Sequence, residues 1–308
     1  MSDFTSAKTS HRHGVISVLV ALPFVSLTGL FGKFLTFSPL LIVQGRTVFA
    51  FGALLLALFF LRKKIFFSDL REWLWLALSG SILGVHWIAF FQAIQVSTVA
   101  IGLLSFASYP LFTTLLEPLF FREPLRVRNV FAALIVICGL ALMATSSSDD
   151  SNTIISGSVF HGILWGLMAG FGFAVLTLLN RGHVRKHSAL LITCWQNGFA
   201  ALVILPWSIF ESWIFSGKEL GLLFLLGVVC TVGGHTLLIN GLRHVRAQVA
   251  SLLIAGLEPV FAILFALFLL GEVPSLQTLL GGVLIISTTV FIIYGTEQKE
   301  IPEQAVSK

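Results

Sequence analysis

The polar residues that interrupt long apolar segments are the first candidates for chemistry in this chain. Glu258 precedes Pro259, and Tyr109 precedes Pro110 in a similar earlier segment. An ionisable group in a membrane helix costs free energy and usually faces a cavity or a partner, and a proline frees a nearby backbone carbonyl. We therefore expect Glu258 to bind the amine of a ligand or to take up and release a proton; a structural contact between helices is the alternative.

Two histidines, His86 and His235, occupy equivalent positions in two similar segments, and Trp87 and Phe90 lie beside the first. Positions 86 and 90 are one helical turn apart and share a face. Histidine can bind a solute or relay protons, with the aromatic rings forming a flat surface beside it. The alternative is that each histidine binds a backbone carbonyl of a neighbouring helix.

Arg46 lies inside an apolar segment, and Gln196 is its counterpart in the second half. Arg46 can pair with an acid, extend its charge toward the membrane surface, or hold a substrate carboxylate. Pairing or extension is the favoured interpretation, and Gln196 has the same alternatives. Trp165 and Asn240 are weaker candidates for lining a cavity.

The composition indicates which elements position these residues. Of 308 residues, 56% are hydrophobic and 11% are charged, with a mean hydropathy of +0.97. Soluble domains carry about 25% charged residues, and a membrane helix needs about 20 apolar ones. These values exclude a soluble enzyme, a disordered chain and a porin-like barrel. They predict an all-α membrane protein with ten spans, at residues 14–36, 39–61, 73–94, 98–121, 127–145, 158–180, 188–210, 220–242, 247–270 and 275–295.

Lysine and arginine predict the orientation, because they concentrate in cytoplasmic loops. If the N-terminus is cytoplasmic, all but three of the 19 basic residues fall on that side; the others are Lys33, Lys218 and the intramembrane Arg46. We therefore expect a multi-pass protein of the bacterial inner membrane with both termini in the cytoplasm. The net charge of +5 then reflects loops and not a nucleic-acid partner.

An internal repeat divides the chain. Residues 84–137 match residues 233–286 without a gap, and the matches include histidine, proline and glutamate. Each unit holds five predicted spans, and an odd number inserts the second unit in the opposite direction. The predicted parts are a tail at 1–13, a first repeat at 14–145, an extracytoplasmic linker at 146–157, a second repeat at 158–295 and a tail at 296–308. Tyr109 and Glu258 should then face each other across one cavity.

The fourth and ninth spans resemble the EamA type of the drug/metabolite transporter superfamily. The resemblance lies in Ala107–Phe112, Phe121–Pro124, Gly256–Ala262, Gly271–Pro274 and Leu279–Ile285. The first half has Arg122 and Glu123 where the family usually has Gly-Glu. The resemblance implies two inverted five-helix repeats around a central cavity, helix hinges at Pro110 and Pro259, and export of small metabolites or amino acids.

Together these observations predict a secondary transporter that moves a small organic solute, an amino acid or related metabolite, by alternating access at the middle of the membrane. A passive channel or facilitator is one alternative, and an intramembrane enzyme is a weaker one because no reactive set of side chains converges. No phosphate-binding loop is present, so a proton or solute gradient is the expected energy source. The expected partners are the substrate and the lipid bilayer, with no cofactor and no metal.

Overall fold

The chain forms a bundle of helices. The computed structural model describes residues 2–121, 127–145, 157–184, 186–245, 247–288 and 290–291, and no strand occurs among them. The helices are α1 (Ser2–Phe34), α2 (Pro39–Phe60), α3 (Leu70–Val96), α4 (Val99–Phe106), α5 (Tyr109–Phe121), α6 (Val127–Ala144), α7 (Gly157–His183), α8 (Ala189–Ser208), α9 (Gly217–Leu225), α10 (Thr236–Leu242), α11 (Ala247–Leu270) and α12 (Leu276–Thr288). A π-helical segment, Leu226–His235, joins α9 to α10.

Eight helical stretches of the described residues are long and apolar enough to cross a membrane. The protein is therefore a multi-pass membrane protein. Helix α6 lies at the fifth predicted span, and the shorter α12 lies at the tenth. The count of ten crossings, the insertion of the halves in opposite directions and the boundaries of the repeats stay predictions.

Equivalent helices of the two halves begin in the same way. The Ser38 hydroxyl accepts a hydrogen bond from the Leu41 amide, and the Ser188 hydroxyl accepts one from the Leu191 amide, both at 3.3 Å. Each serine satisfies one of the amide groups that the first helical turn leaves without a partner. The repeat seen in the sequence thus extends to the capping of α2 and α8.

Helices of one half pack mainly against helices of the other. Helix α3 packs on α7 and α8, α2 packs on α8, and α1 packs on α11 and the π-helical segment. Small residues allow this approach at Gly80 and Gly166. A Cβ atom at Gly80 would lie 2.6 Å from the Phe199 Cβ, and one at Gly166 would lie 2.5 Å from the Ser105 Cβ. Both glycines therefore permit close contact between helices.

Some predicted segments differ from the structure. Helix α1 begins at Ser2, so residues 2–13, predicted as a tail, continue the first helix. The fourth predicted span is two helices, because α4 ends at Phe106 and α5 begins at Tyr109. Residues 146–156 of the predicted linker, the predicted tail at 296–308 and the motif at 122–124 lie outside the described residues.

Candidate functional site

Arg46 of α2 is buried in the bundle and binds the second half. Its Nε and Nη2 atoms donate hydrogen bonds to the Thr231 hydroxyl oxygen at 3.1 and 2.8 Å. The guanidinium carbon lies 3.5 Å from the centroid of the Trp87 ring and 5.7 Å from that of Phe91. Only 1% of Arg46 is exposed. The predicted extension toward the membrane surface is therefore wrong for this conformation.

The expected ion pair of Arg46 is not formed either. Among the described residues, no Asp or Glu oxygen lies within 4 Å of the guanidinium. Arg46 is instead held by a hydroxyl and by the face of an aromatic ring, which attracts a cation through its quadrupole. The Arg46 guanidinium therefore has no counter-ion among the residues that the structure describes.

Thr231 owes its position to the π-helical segment. Its hydroxyl donates to the Leu226 carbonyl five residues earlier, at 2.8 Å. A π-helical turn widens the helix and often marks a functional site. Because the Thr231 hydroxyl hydrogen points to the Leu226 carbonyl, the lone pairs of the hydroxyl oxygen are free to accept both bonds from Arg46. These two bonds hold the arginine in one orientation.

Trp87 connects Arg46 to His235, which ends the π-helical segment. The Trp87 and His235 ring centroids are 5.7 Å apart, and both side chains are 4% exposed. We call Arg46, Trp87, Thr231 and His235 the central cluster. Trp87 Nε1, His235 Nδ1 and Arg46 Nη1 are buried without a hydrogen-bond partner among the described residues.

An aromatic layer adjoins this cluster and holds most of the other predicted residues. It consists of His86, Phe90, Phe106, Tyr109 and Phe173, whose neighbouring ring centroids lie 4.8 to 6.4 Å apart. The His86 ring is 4.8 Å from that of Trp87, which joins the layer to the cluster. The structure therefore brings together the predicted residues of α2, α3, α5 and the π-helical segment.

The two histidines have different surroundings. The Nδ1 atom of His86 lies 2.8 Å from the Ala169 carbonyl oxygen of α7, so it carries a proton and donates it there. This is the contact that the alternative interpretation of His86 expects, and the substrate role of His86 stays a prediction. The Nδ1 atom of His235 has no such partner in the described structure. His235 is thus the histidine with free hydrogen-bonding capacity.

Glu258 is buried in α11, where it is 2% exposed. The Ser26 hydroxyl of α1 donates to its backbone carbonyl at 3.3 Å, one residue before Pro259. Within the described ranges, no Lys, Arg or His nitrogen lies within 4 Å of the Glu258 carboxylate. Tyr109 is also fully buried, so both residues point into the bundle. The roles predicted for them stay predictions.

Gln196 of α8 lies in a separate polar group. Its Nε2 atom donates to the Ser79 hydroxyl at 3.1 Å and to Asn180 Oδ1 at 2.5 Å, and its Oε1 atom is buried without a described partner. Gln196 therefore mirrors Arg46, because each side chain of α2 or α8 binds a hydroxyl of the opposite half. No ionic partner is needed for the neutral amide.

Like Glu258 and Gln196, four further predicted residues lie outside the central cluster and the aromatic layer. Trp165 is half-buried against the core, and Asn240 is exposed near the end of α10. Pro110 is the second residue of α5, where the chain has just broken, whereas Pro259 lies inside the continuous α11. The structure gives Asn240 no place beside the predicted cavity residues.

Two contacts join the halves at opposite ends of the bundle. Near the start of α3, the Glu72 carboxylate lies 3.3 Å from His183 Nε2 and 3.4 Å from His187 Nε2. At the other end, the Glu272 carboxylate accepts a hydrogen bond from the Val99 amide, the first residue of α4, at 2.9 Å. The Glu272 carboxylate therefore caps the first turn of α4.

Sequence reasoning missed Thr231, Phe106 and Phe173. Their residue types are common in membrane helices, so composition and spacing do not distinguish them. The two adjacent glycines at 233 and 234 were the available signal for the irregular helix.

A helical membrane bundle whose halves enclose buried polar and aromatic side chains is the architecture of a membrane transporter. The EamA-like transporter family matches this chain twice, at residues 12–145 and 160–294. The chain belongs to that family, which confirms the resemblance seen in the sequence.

Curated relatives agree with this assignment. The chain is similar to the S-adenosylmethionine uptake transporter of Rickettsia prowazekii (strain Madrid E), at 31% identity over 67% of this chain and 66% of that protein. It is also similar to the uncharacterized transporter YwfM of Bacillus subtilis (strain 168), at 26% identity over 81% of this chain and 84% of that protein. The uncharacterized transporter YxxF of the same organism is 27% identical over 67% of this chain, which spans 65% of that relative, slightly less than two thirds.

A solved crystal structure has the same fold. It matches with a TM-score of 0.63 over 91% of this chain and 94% of that chain, at 17% identity. At that identity the likeness concerns the fold alone.

Proposed function

We propose that this protein is a secondary transporter that carries a small organic solute, an amino acid or related metabolite, across the bacterial inner membrane by alternating access. The observation that supports this most is the central cluster, which places a charged and several polar groups inside an apolar bundle between the halves. Buried ionisable groups in membrane helices are costly and mark solute or ion pathways.

The aromatic layer adds a surface for the apolar part of a solute. Ligand sites are mostly apolar with a few polar groups that fix orientation, and the central cluster beside the aromatic layer has that composition. The solute would occupy this region after the halves separate on one side. Glu258 is the buried acid available for proton coupling.

We propose export as the direction, as the resemblance implies, with import as the alternative. The Rickettsia relatives are named uptake transporters for S-adenosylmethionine, a molecule that carries the amino and carboxylate groups of an amino acid. This supports an amino-acid-like solute here. It also makes S-adenosylmethionine itself a compound to be tested.

Counterflow in proteoliposomes tests the proposal. Purified protein is reconstituted in vesicles loaded with one unlabelled L-amino acid or S-adenosylmethionine, and uptake of the labelled compound is followed. We expect at least one compound to accumulate transiently, with Trp87→Ala lowering the initial rate at least tenfold and Lys218→Gln, an exposed change, leaving it unaltered.

Three results would contradict the proposal. Uptake that does not respond to solute inside the vesicle indicates a passive facilitator. A chemically altered product indicates an enzyme. No uptake of any compound by folded protein excludes an amino-acid-like solute.

A further inference from the structure

We infer that Arg46, Trp87 and His235 form a receptor for the carboxylate of the transported solute. This inference rests on the proposed function and adds to it the chemical group that is recognised. It is drawn from the charge of Arg46, the unpartnered nitrogen atoms around Trp87 and the way Thr231 holds the arginine.

The charge of Arg46 requires an anion. A guanidinium that is 1% exposed is removed from water, and a buried charge without a partner is strongly destabilising. Within the described residues no carboxylate oxygen lies within 4 Å of it. The Trp87 face compensates only part of the charge, because a cation–π contact is weaker than an ion pair with a carboxylate.

Three nitrogen atoms of the site lack partners. Arg46 Nη1 and Trp87 Nε1 are donors only, and His235 Nδ1 is a donor when the proton lies there. Buried polar atoms are nearly always paired, so an orphan calls for a specific explanation. A carboxylate offers two oxygens with about four acceptor positions, which is enough for all three donors.

The arginine is held before the anion arrives. Thr231 occupies Nε and Nη2, and the stack on Trp87 fixes the plane of the guanidinium. The two hydrogens of Nη1 and the second hydrogen of Nη2 remain for a ligand. A group fixed in its binding geometry loses less conformational entropy when the ligand binds. The site is therefore prepared for one anionic group.

The surroundings favour an organic acid over an inorganic anion. Phe91, Phe90 and Phe106 lie beside the central cluster and are at most 5% exposed. They offer apolar contact to a side chain but no further hydrogen bonds. His86 adds no donor at Nδ1, because that atom is bound to Ala169.

Binding to acids and to their amides tests the receptor. Purified protein in detergent is titrated with each of the twenty L-amino acids, with S-adenosylmethionine, and with the primary amides of phenylalanine, methionine and leucine, and the melting temperature is recorded. We expect wild type to bind at least one of these three acids at least tenfold more tightly than its amide, equivalent to about 1.4 kcal/mol.

Variants assign the preference to Arg46. Arg46→Gln, which installs the amide found at Gln196, should bring the acid and amide affinities within about threefold of each other. Arg46→Lys keeps the charge but not the planar donor fork, and should restore part of the preference. Lys218→Gln removes an exposed charge and should leave it unchanged.

The outcomes separate this inference from the proposed function. Equal affinity for acid and amide in wild type, a preference that persists in Arg46→Gln, or no binding of any compound overturns the carboxylate receptor. Stabilisation by sodium chloride that equals stabilisation by the acids also overturns it. Acids that bind through Arg46 but show no counterflow leave the receptor standing and overturn the transport proposal.

Discussion

The two halves share a frame but differ in where their backbone is irregular. In the first half, α3 is regular and the next span breaks between Phe106 and Tyr109. In the second half, the equivalent of α3 contains the π-helical segment, and α11 continues through Pro259. Among the described residues, the break of the first half and the π-helical segment of the second half therefore lie at different places in the repeat. The duplication therefore provides the scaffold, and local departures from it position the functional groups.

The same asymmetry appears in the side chains of α2 and α8. Arg46 binds Thr231 of the π-helical segment, and Gln196 binds Ser79 of α3. Both contacts join the halves through a hydroxyl, but only one brings a charge. Under the proposed function, the Arg46 contact serves the solute and the Gln196 contact serves packing.

The largest change in stability is expected from a substitution that makes the Gln196 contact resemble the Arg46 contact. Gln196→Arg buries a second charge against Ser79 and Asn180, where no acid is described. We expect a loss of about 3 kcal/mol in the free energy of unfolding, since an uncompensated charge in a membrane interior costs about that much. Melting temperature and yield of monodisperse protein measure it. Wild-type stability, or full transport by the exchanged pair Arg46→Gln with Gln196→Arg, would show that the halves are interchangeable.

A smaller difference in stability is expected between loss of the Thr231 hydroxyl and loss of the Ser79 hydroxyl. Thr231→Val removes the acceptor of two bonds from a charged group, and Ser79→Ala removes one acceptor from a neutral amide. Bonds to charged groups contribute about 1.5–3 kcal/mol and neutral ones about 0.5–1.5. We therefore expect Thr231→Val to lower stability more and to slow transport, whereas Ser79→Ala should retain transport. Equal effects of both substitutions on transport would contradict the functional asymmetry.

Close packing between the halves gives the next comparison. A Cβ atom at Gly80 would lie 2.8 Å from the Gln196 carbonyl oxygen, and one at Gly227 would lie 2.7 Å from the Arg46 carbonyl oxygen. Alanine at either position should destabilise the protein by about 1–3 kcal/mol, because overpacking forces backbone shifts. Gly52→Ala is the matched control, since nothing lies within 4 Å of its Cβ position. Melting curves that do not separate these variants would refute close packing.

The smallest change in stability is expected from loss of the Glu272 contact with the start of α4. Glu272→Ala removes the carboxylate that accepts from the Val99 amide, and loss of a helix cap costs about 1 kcal/mol. We expect a small decrease in melting temperature, with Glu272→Gln retaining part of the contact. An increase in melting temperature for Glu272→Ala would contradict the capping role.

The frame of the molecule was largely predictable from sequence, because membrane helices must be apolar for their whole length. The π-helical segment was not predicted. The adjacent glycines at 233 and 234 were a signal in the sequence, and the segment packs at Gly227 against Arg46 and Phe49. No periodicity of apolar residues reports it.

The site was predictable only in part. Rare polar residues identified Arg46, His86 and His235, because their burial needs a reason. The contact of Thr231 with Arg46 was not predicted, because a threonine in a helix usually donates a hydrogen bond to a carbonyl of the preceding turn. Thr177 does so with the Phe173 carbonyl. The partner of Arg46 was also missed: an acid was the favoured partner, whereas the structure supplies a hydroxyl and an aromatic face.

Cysteine accessibility tests the central claim, that the region between the halves opens to each side of the membrane in turn. Cys230 is a native reporter, because it is buried and directly precedes Thr231 of the central cluster in the sequence. In a background with Cys138→Ser and Cys194→Ser, a membrane-impermeant thiol reagent is added to one side of oriented vesicles and then to the other. Alternating access predicts that Cys230 reacts from both sides and that a bound solute slows both reactions. Reaction from one side only, or from neither side while solute exchange continues, would contradict the account.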